Sequence, residues 1–127
     1  MNIPSELKYT REHEWVKVNG ETAVIGITDY AQGELGDIVF IELPSAGSRV
    51  KKMKPCGSIE AVKTVSDLFS PVSGEIIKLN SKLETQPQSV NQDPYGEGWM
   101  LKIKFTNAGE LEDLLSADAY QKLIEGE

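Results

Sequence analysis

From His13 onward the apolar and polar positions alternate in the manner of β-strands. Glu14-Trp15-Val16-Lys17-Val18 and Thr22-Ala23-Val24-Ile25-Gly26-Ile27 flank Asn19-Gly20. Asn-Gly between β-branched runs predicts a hairpin whose two central residues both take positive φ. Thr28-Asp29 supply cap oxygens for a short helix through Tyr30, Ala31, Gln32 and Leu35, and Gly36 stops it. Ile38-Val39-Phe40-Ile41-Glu42-Leu43 reads as a buried strand ended by Pro44, and Ser45-Ala46-Gly47 as a turn. A short exposed strand is expected over residues 49–53, broken by Pro55-Cys56-Gly57. The β-branched runs Ile59 to Val62 and Thr64 to Val65 follow, then Glu75 to Leu79. Residues 86–98 are polar and rich in turn formers, which predicts a long loop. Trp99, Leu101, Ile103 and Phe105 alternate with Met100, Lys102 and Lys104, the clearest half-buried strand. Asn107 and Ser116 are placed to start helical turns carrying Leu111, Leu114 and Leu115, then Tyr120, Leu123 and Ile124.

Many short strands at even spacing predict a mainly β domain, a barrel or a sandwich, with one short helix near residue 30 and helices at the C-terminal end. The chain of 127 residues is expected to form one domain, with a core over about 13–105 and a helical segment over about 107–125. Two β-rich blocks, roughly 13–43 and 49–79, read as related halves. The formal charge of −7 argues against nucleic acid and anionic lipid as partners, and suits proteins that carry basic patches. No apolar run is long enough to span a bilayer, and residues 1–8 lack a signal or transit pattern. The lone Cys56 forms no internal disulfide, so a reducing cytoplasm is the expected compartment; a monomer is the expected state.

Catalytic equipment is sparse. One histidine, His13, excludes a His-metal cluster, and reads as a structural residue at the start of a strand. Cys56 has no Cys-x-x-Cys partner, which excludes a dithiol or zinc pair. Gly96-Glu97-Gly98 precedes a strand and no helix, so it is no phosphate loop. A chain without its own catalytic groups still serves catalysis when it carries a cofactor. Lys63, between two β-branched runs, offers an amine on a flexible stem suited to acylation. The turn chemistry by itself does not predict a hairpin there, because no Gly, Asn or Pro stands at the tip.

Glu60-Ala61-Val62-Lys63-Thr64 followed by Ser70-Pro71-Val72-Ser73-Gly74-Glu75 resembles the attachment region of lipoyl and biotinyl carrier domains. Tyr9 to Val16, Ile25 to Gln32, Leu35 to Val39, Glu42-Leu43-Pro44, Pro94-Tyr95-Gly96 and Gly98-Trp99-Met100 narrow the resemblance to the H-protein family of the glycine cleavage system, from about residue 7 to about residue 124. The resemblance implies a flattened β-barrel, a barrel-sandwich hybrid of two related halves, with Lys63 on an exposed turn. It implies lipoate in amide linkage to Lys63, with Glu60, Gly47 and Gly74 read by the modifying enzyme, a lipoate ligase or a lipoyl or octanoyl transferase. It further implies a shuttle without catalysis of its own. That shuttle takes the aminomethyl group of glycine from a pyridoxal-phosphate glycine decarboxylase (P protein) to a tetrahydrofolate-dependent aminomethyltransferase (T protein), and is reoxidised by dihydrolipoamide dehydrogenase (L protein). The loaded arm rests in a cleft that excludes water, for which Glu12, Glu14, Asp67 and Tyr30 are the candidates. This chain departs from the family's frequent His at Tyr30, and from its common Ser or Asp near Glu12.

Three other readings stay open. A biotin carrier usually has methionine on both sides of its lysine, where this chain has Val62 and Thr64. A 2-oxoacid dehydrogenase lipoyl domain is usually shorter and tethered by an Ala/Pro-rich linker, which is missing here. An interaction module, or a protein that relays lipoyl groups to other enzymes, is the third.

Overall fold

The computed structural model describes residues 1–127. Strands β1 (Lys8–Tyr9), β2 (Glu14–Asn19) and β3 (Thr22–Ile27) run into helix α1 (Asp29–Leu35). Then come β4 (Ile38–Glu42), β5 (Arg49–Val50), β6 (Pro55–Ala61), β7 (Val65–Phe69) and β8 (Gly74–Leu79). A 3-10 turn at Ser81–Glu84, helix α2 (Ser89–Gln92), β9 (Leu101–Phe105), a 3-10 turn at Ala108–Asp113 and helix α3 (Ala117–Glu125) complete the order. The strands form a six-stranded sheet, β1-β2-β3-β9-β8-β5, and a three-stranded sheet, β4-β6-β7, with antiparallel pairing throughout. Each of the two β-rich blocks contributes to both sheets: the first gives β2, β3 and β4, the second β5, β8, β6 and β7.

The inner faces of the two sheets share one core. Val16, Ile25 and Leu101 stand side by side across β2, β3 and β9, and Ile41 and Ile59 across β4 and β6; all five are buried in the main apolar cluster. A smaller cluster of Leu7, Tyr9, Trp15, Tyr120 and Ile124 lies on the other side of β2, covered by the terminal segments. Tyr9 stacks on Tyr120 at 4.8 Å, and the Trp15 indole N–H donates to the Pro94 carbonyl at 2.9 Å. Gly26 sits beneath that indole, where a Cβ would come within 2.7 Å of Trp15 Nε1.

Local signals produced the expected ends. The Thr28 hydroxyl accepts from Ala31 N–H at 3.1 Å, Gly36 closes α1 at φ +79°, and Ser116 caps α3. Several expectations are corrected. Asn19 pairs with Thr22, so the two-residue turn is Gly20-Glu21, and only Gly20 (φ +62°) is left-handed, the pattern of a type II′ turn. β4 is not a buried strand. A bulge between Ile38 and Phe40 turns both Val39 and Phe40 outward, leaving Ile38 and Ile41 inside. The exposed strand expected over 49–53 shrinks to β5, with Val50 buried, because the chain turns at Met53 (φ +57°). Pro55-Cys56-Gly57 begins β6 rather than breaking the chain, since a bulge there accommodates the proline. Residues 86–98 are not a bare loop: α2 buries Val90, and the backbone amides of Gly96 and Gly98 both donate to the Asp93 carbonyl. Met100 is fully buried although alternation sets it outward, because it precedes β9 and its amide bonds Ile25 O at 2.8 Å instead of continuing the ladder. No helix is long and apolar enough to cross a membrane.

Candidate functional site

β6 and β7 form a hairpin with Glu60 opposite Val65. Ala61 N–H donates to Thr64 O at 2.8 Å, which leaves Val62 and Lys63 at the tip. Tertiary contact replaces the missing turn residues: Val62 N–H donates to Asp37 O at 3.0 Å, fastening the tip to the segment after α1. Lys63 is exposed and takes part in none of the three ion pairs. Its stem lies over Gly36, where an added Cβ would stand 3.3 Å from Lys63 Cε. Glu60 is exposed on the same hairpin.

Near the hairpin a cleft of about 220 Å³ opens between α1, β7 and the segment entering β2. Ile27, Ala31, Leu35 and Ile59 supply its apolar lining. Glu12, Glu14, Glu34, Asp67 and Glu127 supply carboxylates, joined by His13, Tyr30 and Ser66. All four residues selected from the sequence as cleft candidates, Glu12, Glu14, Asp67 and Tyr30, therefore line one cavity. The carboxylates do not converge as a metal site.

Glu14 is the unusual member. Its side chain is 1% exposed. Thr10 Oγ1 donates to Oε1 at 2.5 Å, and Phe69 N–H to Oε2 at 3.4 Å. Burial pushes its carboxyl up to about 8, and the charge of Glu12 adds to the rise, while those two hydrogen bonds oppose it. His13, held at φ +71°, contacts the Tyr120 hydroxyl through Nδ1 at 2.8 Å, and its Nε2 lies 3.3 Å from Glu127 Oε1. Tyr30 stands 5.0 Å from the His13 ring, with its hydroxyl 3.2 Å from Glu34 Oε1.

Gly47 and Gly74 lie away from the tip, and each has a backbone reason. Gly47 is left-handed at φ +92°. At Gly74 a Cβ would fall 2.2 Å from Lys104 O, so β8 approaches β9 only without a side chain there. Cys56 is half-buried, which pushes its thiol up to about 12, and it stays an inert packing residue. Sequence reasoning missed Glu34, Leu35, Ile27, Ile59, Ser66 and Glu127. Glu34 was accessible as the helical i+4 neighbour of Tyr30. Nothing local marks Glu127, which reaches the cleft only through the docking of α3.

A family model described as glycine cleavage H-protein matches residues 7–127. The glycine cleavage system H protein of Staphylococcus carnosus (strain TM300) is 54% identical over 124 residues, covering 98% of each chain. That of Bacteroides thetaiotaomicron is 53% identical over 126 residues, covering 99% of this chain and 100% of the relative. A crystal structure of a glycine cleavage system H protein from Mycobacterium marinum superposes with a TM-score of 0.90 at 37% identity, over 97% of this chain and 99% of that one. The two-sheet fold with its exposed lysine hairpin is that of the barrel-sandwich carriers of a covalently attached group. Within that class the chain belongs to the glycine cleavage H-protein family, whose members are lipoyl-carrying, non-catalytic shuttle components of the glycine cleavage system.

Proposed function

We propose that Lys63 is the attachment point of the lipoyl group and that the cleft lined by Glu12, Glu14, Asp67 and Tyr30 shelters the loaded arm. The observation that carries this reading is an exposed, unpaired lysine at a hairpin tip near an acidic cleft with an apolar lining. Amide formation removes the ammonium charge at little cost, because no carboxylate depends on it. Gly36 leaves bare backbone beneath the lysine stem, so the stem packs without obstruction. When bound, the lipoyl group supplies a disulfide that accepts electrons and a one-carbon amine unit derived from glycine.

The chain's own residues then bind and shield. Ile27, Ala31, Leu35 and Ile59 offer an apolar wall to an alkyl chain. Glu12, Glu34 and Asp67 are exposed along the cleft and attract a cationic head. Buried Glu14, with its carboxyl raised to about 8, is mostly protonated at neutral pH and gains charge when an ammonium comes beside it. Closing such a site over the cargo keeps water from a hydrolysable carbon–nitrogen unit. Glu60, one strand position from the tip, is the cue for modification, whereas Gly47 and Gly74 act by holding the backbone. The partners are the glycine decarboxylase, the aminomethyltransferase, dihydrolipoamide dehydrogenase and the lipoyl-attaching enzyme. The free Cys56 fits the reducing cytoplasm.

Intact-mass spectrometry after incubation with a lipoate ligase, lipoate and ATP tests the attachment. One lipoyl adduct on the wild-type chain and none on Lys63→Ala is the expected result; an adduct that persists on Lys63→Ala overturns it.

A further inference from the structure

Seven large apolar side chains are exposed in the chain, and four of them, Val39, Phe40, Val62 and Val65, belong to the three-stranded sheet and its hairpin tip. Scattered singly, such residues need no explanation. These are not scattered. Phe40 is the register partner of Glu60, and Glu60 of Val65, so the three side chains stand in one row on the outer face. With strands about 4.8 Å apart the row spans roughly 10 Å, and it ends beside the turn that carries Val62 and Lys63. The bulge in β4 adds Val39 to the same exposed region. Phe40 is 53% exposed and Val65 65%, so their burial is not what stabilises the sheet. The next outward row, Glu42, Ser58 and Asp67, is acidic. Apart from Lys63, these two rows and the tip carry carboxylates and no basic side chain.

Exposed apolar side chains on either side of Glu60, next to an acidic row, mark a surface meant to be covered. Its position decides by what. An enzyme that builds the amide on Lys63 must bring its reaction centre within bonding distance of Nζ, and therefore closes over the tip and the strand face directly behind it. Enzymes that work on the far end of an attached arm carry no such requirement. We propose that Val39, Phe40, Val62 and Val65 form the docking face for the enzyme that acylates Lys63. That partner presents an apolar recess rimmed by Lys and Arg, complementary to Glu42, Glu60 and Asp67. The proposal rests on Lys63 as the attachment point. In the transfer the amine nitrogen forms its bond to the acyl carbon as the acyl–oxygen bond of an acyl adenylate breaks; the nucleotide leaves and the amine proton passes to solvent.

The test uses the full unmodified chain with a lipoate ligase, lipoate and ATP, and intact mass as the readout of the acylation rate. Phe40→Ser and Val65→Thr are each expected to lower kcat/KM about tenfold or more, through KM. Melting temperatures are expected to stay close to wild type, and Lys63 to be modified fully at saturating protein. Val65→Thr keeps the shape and β preference of valine, so it carries the test if Phe40→Ser fails to fold. Ile77→Ser, an exposed apolar position on the six-stranded sheet, is the control and is expected to leave KM unchanged. An adduct on the wild-type chain with an unchanged KM in both hairpin-sheet variants overturns the docking face alone, as does an equal loss in Ile77→Ser. No adduct on the wild-type chain overturns both the attachment and the docking face.

Discussion

Across the six-stranded sheet, Lys17, Val24, Lys102 and Lys78 stand side by side on the outer face; across the three-stranded sheet the matching outer row is Phe40, Glu60 and Val65. Both sheets turn their other face into the same core, and the alternation that buries Ile25 and Ile59 builds both outer rows. The larger sheet shows mostly lysines to water in this row, with Trp15 covered by the terminal segments and Ile77 left exposed. Its lysines border a shallow groove of about 310 Å³ with Trp15, Tyr95 and Trp99 and no carboxylate, and Lys78 Nζ lies 5.9 Å from the Trp99 ring. The smaller sheet differs on both counts: four of the seven exposed large apolar side chains belong to it and its hairpin tip, and the cleft along its β7 strand gathers five carboxyl groups. Folding required apolar inner faces and, on the larger sheet, the second apolar cluster that buries Trp15. The outer positions beyond that cover were left free, and those near Lys63 are acidic and apolar while the row of Lys17, Lys102 and Lys78 is basic.

The strongest way to break this comparison is to move inward by one residue. Ile59→Ala, on the buried side of β6, is expected to cost about 2–4 kcal/mol in urea unfolding, whereas Phe40→Ser on the outward side of β4 costs less than about 1 kcal/mol. Comparable losses would mean that the outer strip stabilises the fold and is not reserved for a partner.

Glu14 sharpens the acidic side. Its folded carboxyl sits near 8 against an ordinary value of 4.5. Between those values the folded state holds a proton that the unfolded chain has released. Its contribution to stability is therefore complete below about 4.5 and lost as pH rises through about 8. Glu14→Gln removes this titration. The variant is expected to melt with a flatter pH dependence, and to gain on the order of 1–3 kcal/mol relative to wild type between pH 5 and pH 9, measured by thermal unfolding at each pH. A wild-type slope in the variant would show that Glu14 is charged in the folded protein.

Smaller effects are expected on the basic face. Lys17→Gln changes stability by no more than about 0.5 kcal/mol and leaves acylation of Lys63 at the wild-type rate; a tenfold slower acylation would dissolve the distinction between the two faces. Smallest is the charge step. Lipoylation removes one ammonium and makes the chain one unit more negative than its formal −7. The modified form is expected to elute slightly later on anion exchange, and co-elution with the unmodified form would argue that the lysine lost no charge.

Short-range features were legible from the residues themselves. Thr28 and Ser116 cap their helices, Gly36 ends α1, and Gly20 makes the first hairpin, because each depends on one side chain or one φ angle. The resemblance carried Lys63 and the four cleft residues, which spacing would not have singled out. What sequence decided, then, was the succession of short strands, the caps of α1 and α3, and the absence of any rival chemistry to Lys63. Tertiary structure decided the rest. The lysine hairpin holds a turn without Gly or Asn because Asp37 receives the Val62 amide from another element. β4 exposes Val39 and Phe40 because a bulge interrupts its register, and nothing in an apolar run announces a bulge. Glu127 and Glu14 meet one cleft because α3 docks on Tyr9 and β7 lies over residue 14. Alternation fixes which side chains share a face, but only the packing of one sheet on another fixes which face meets water.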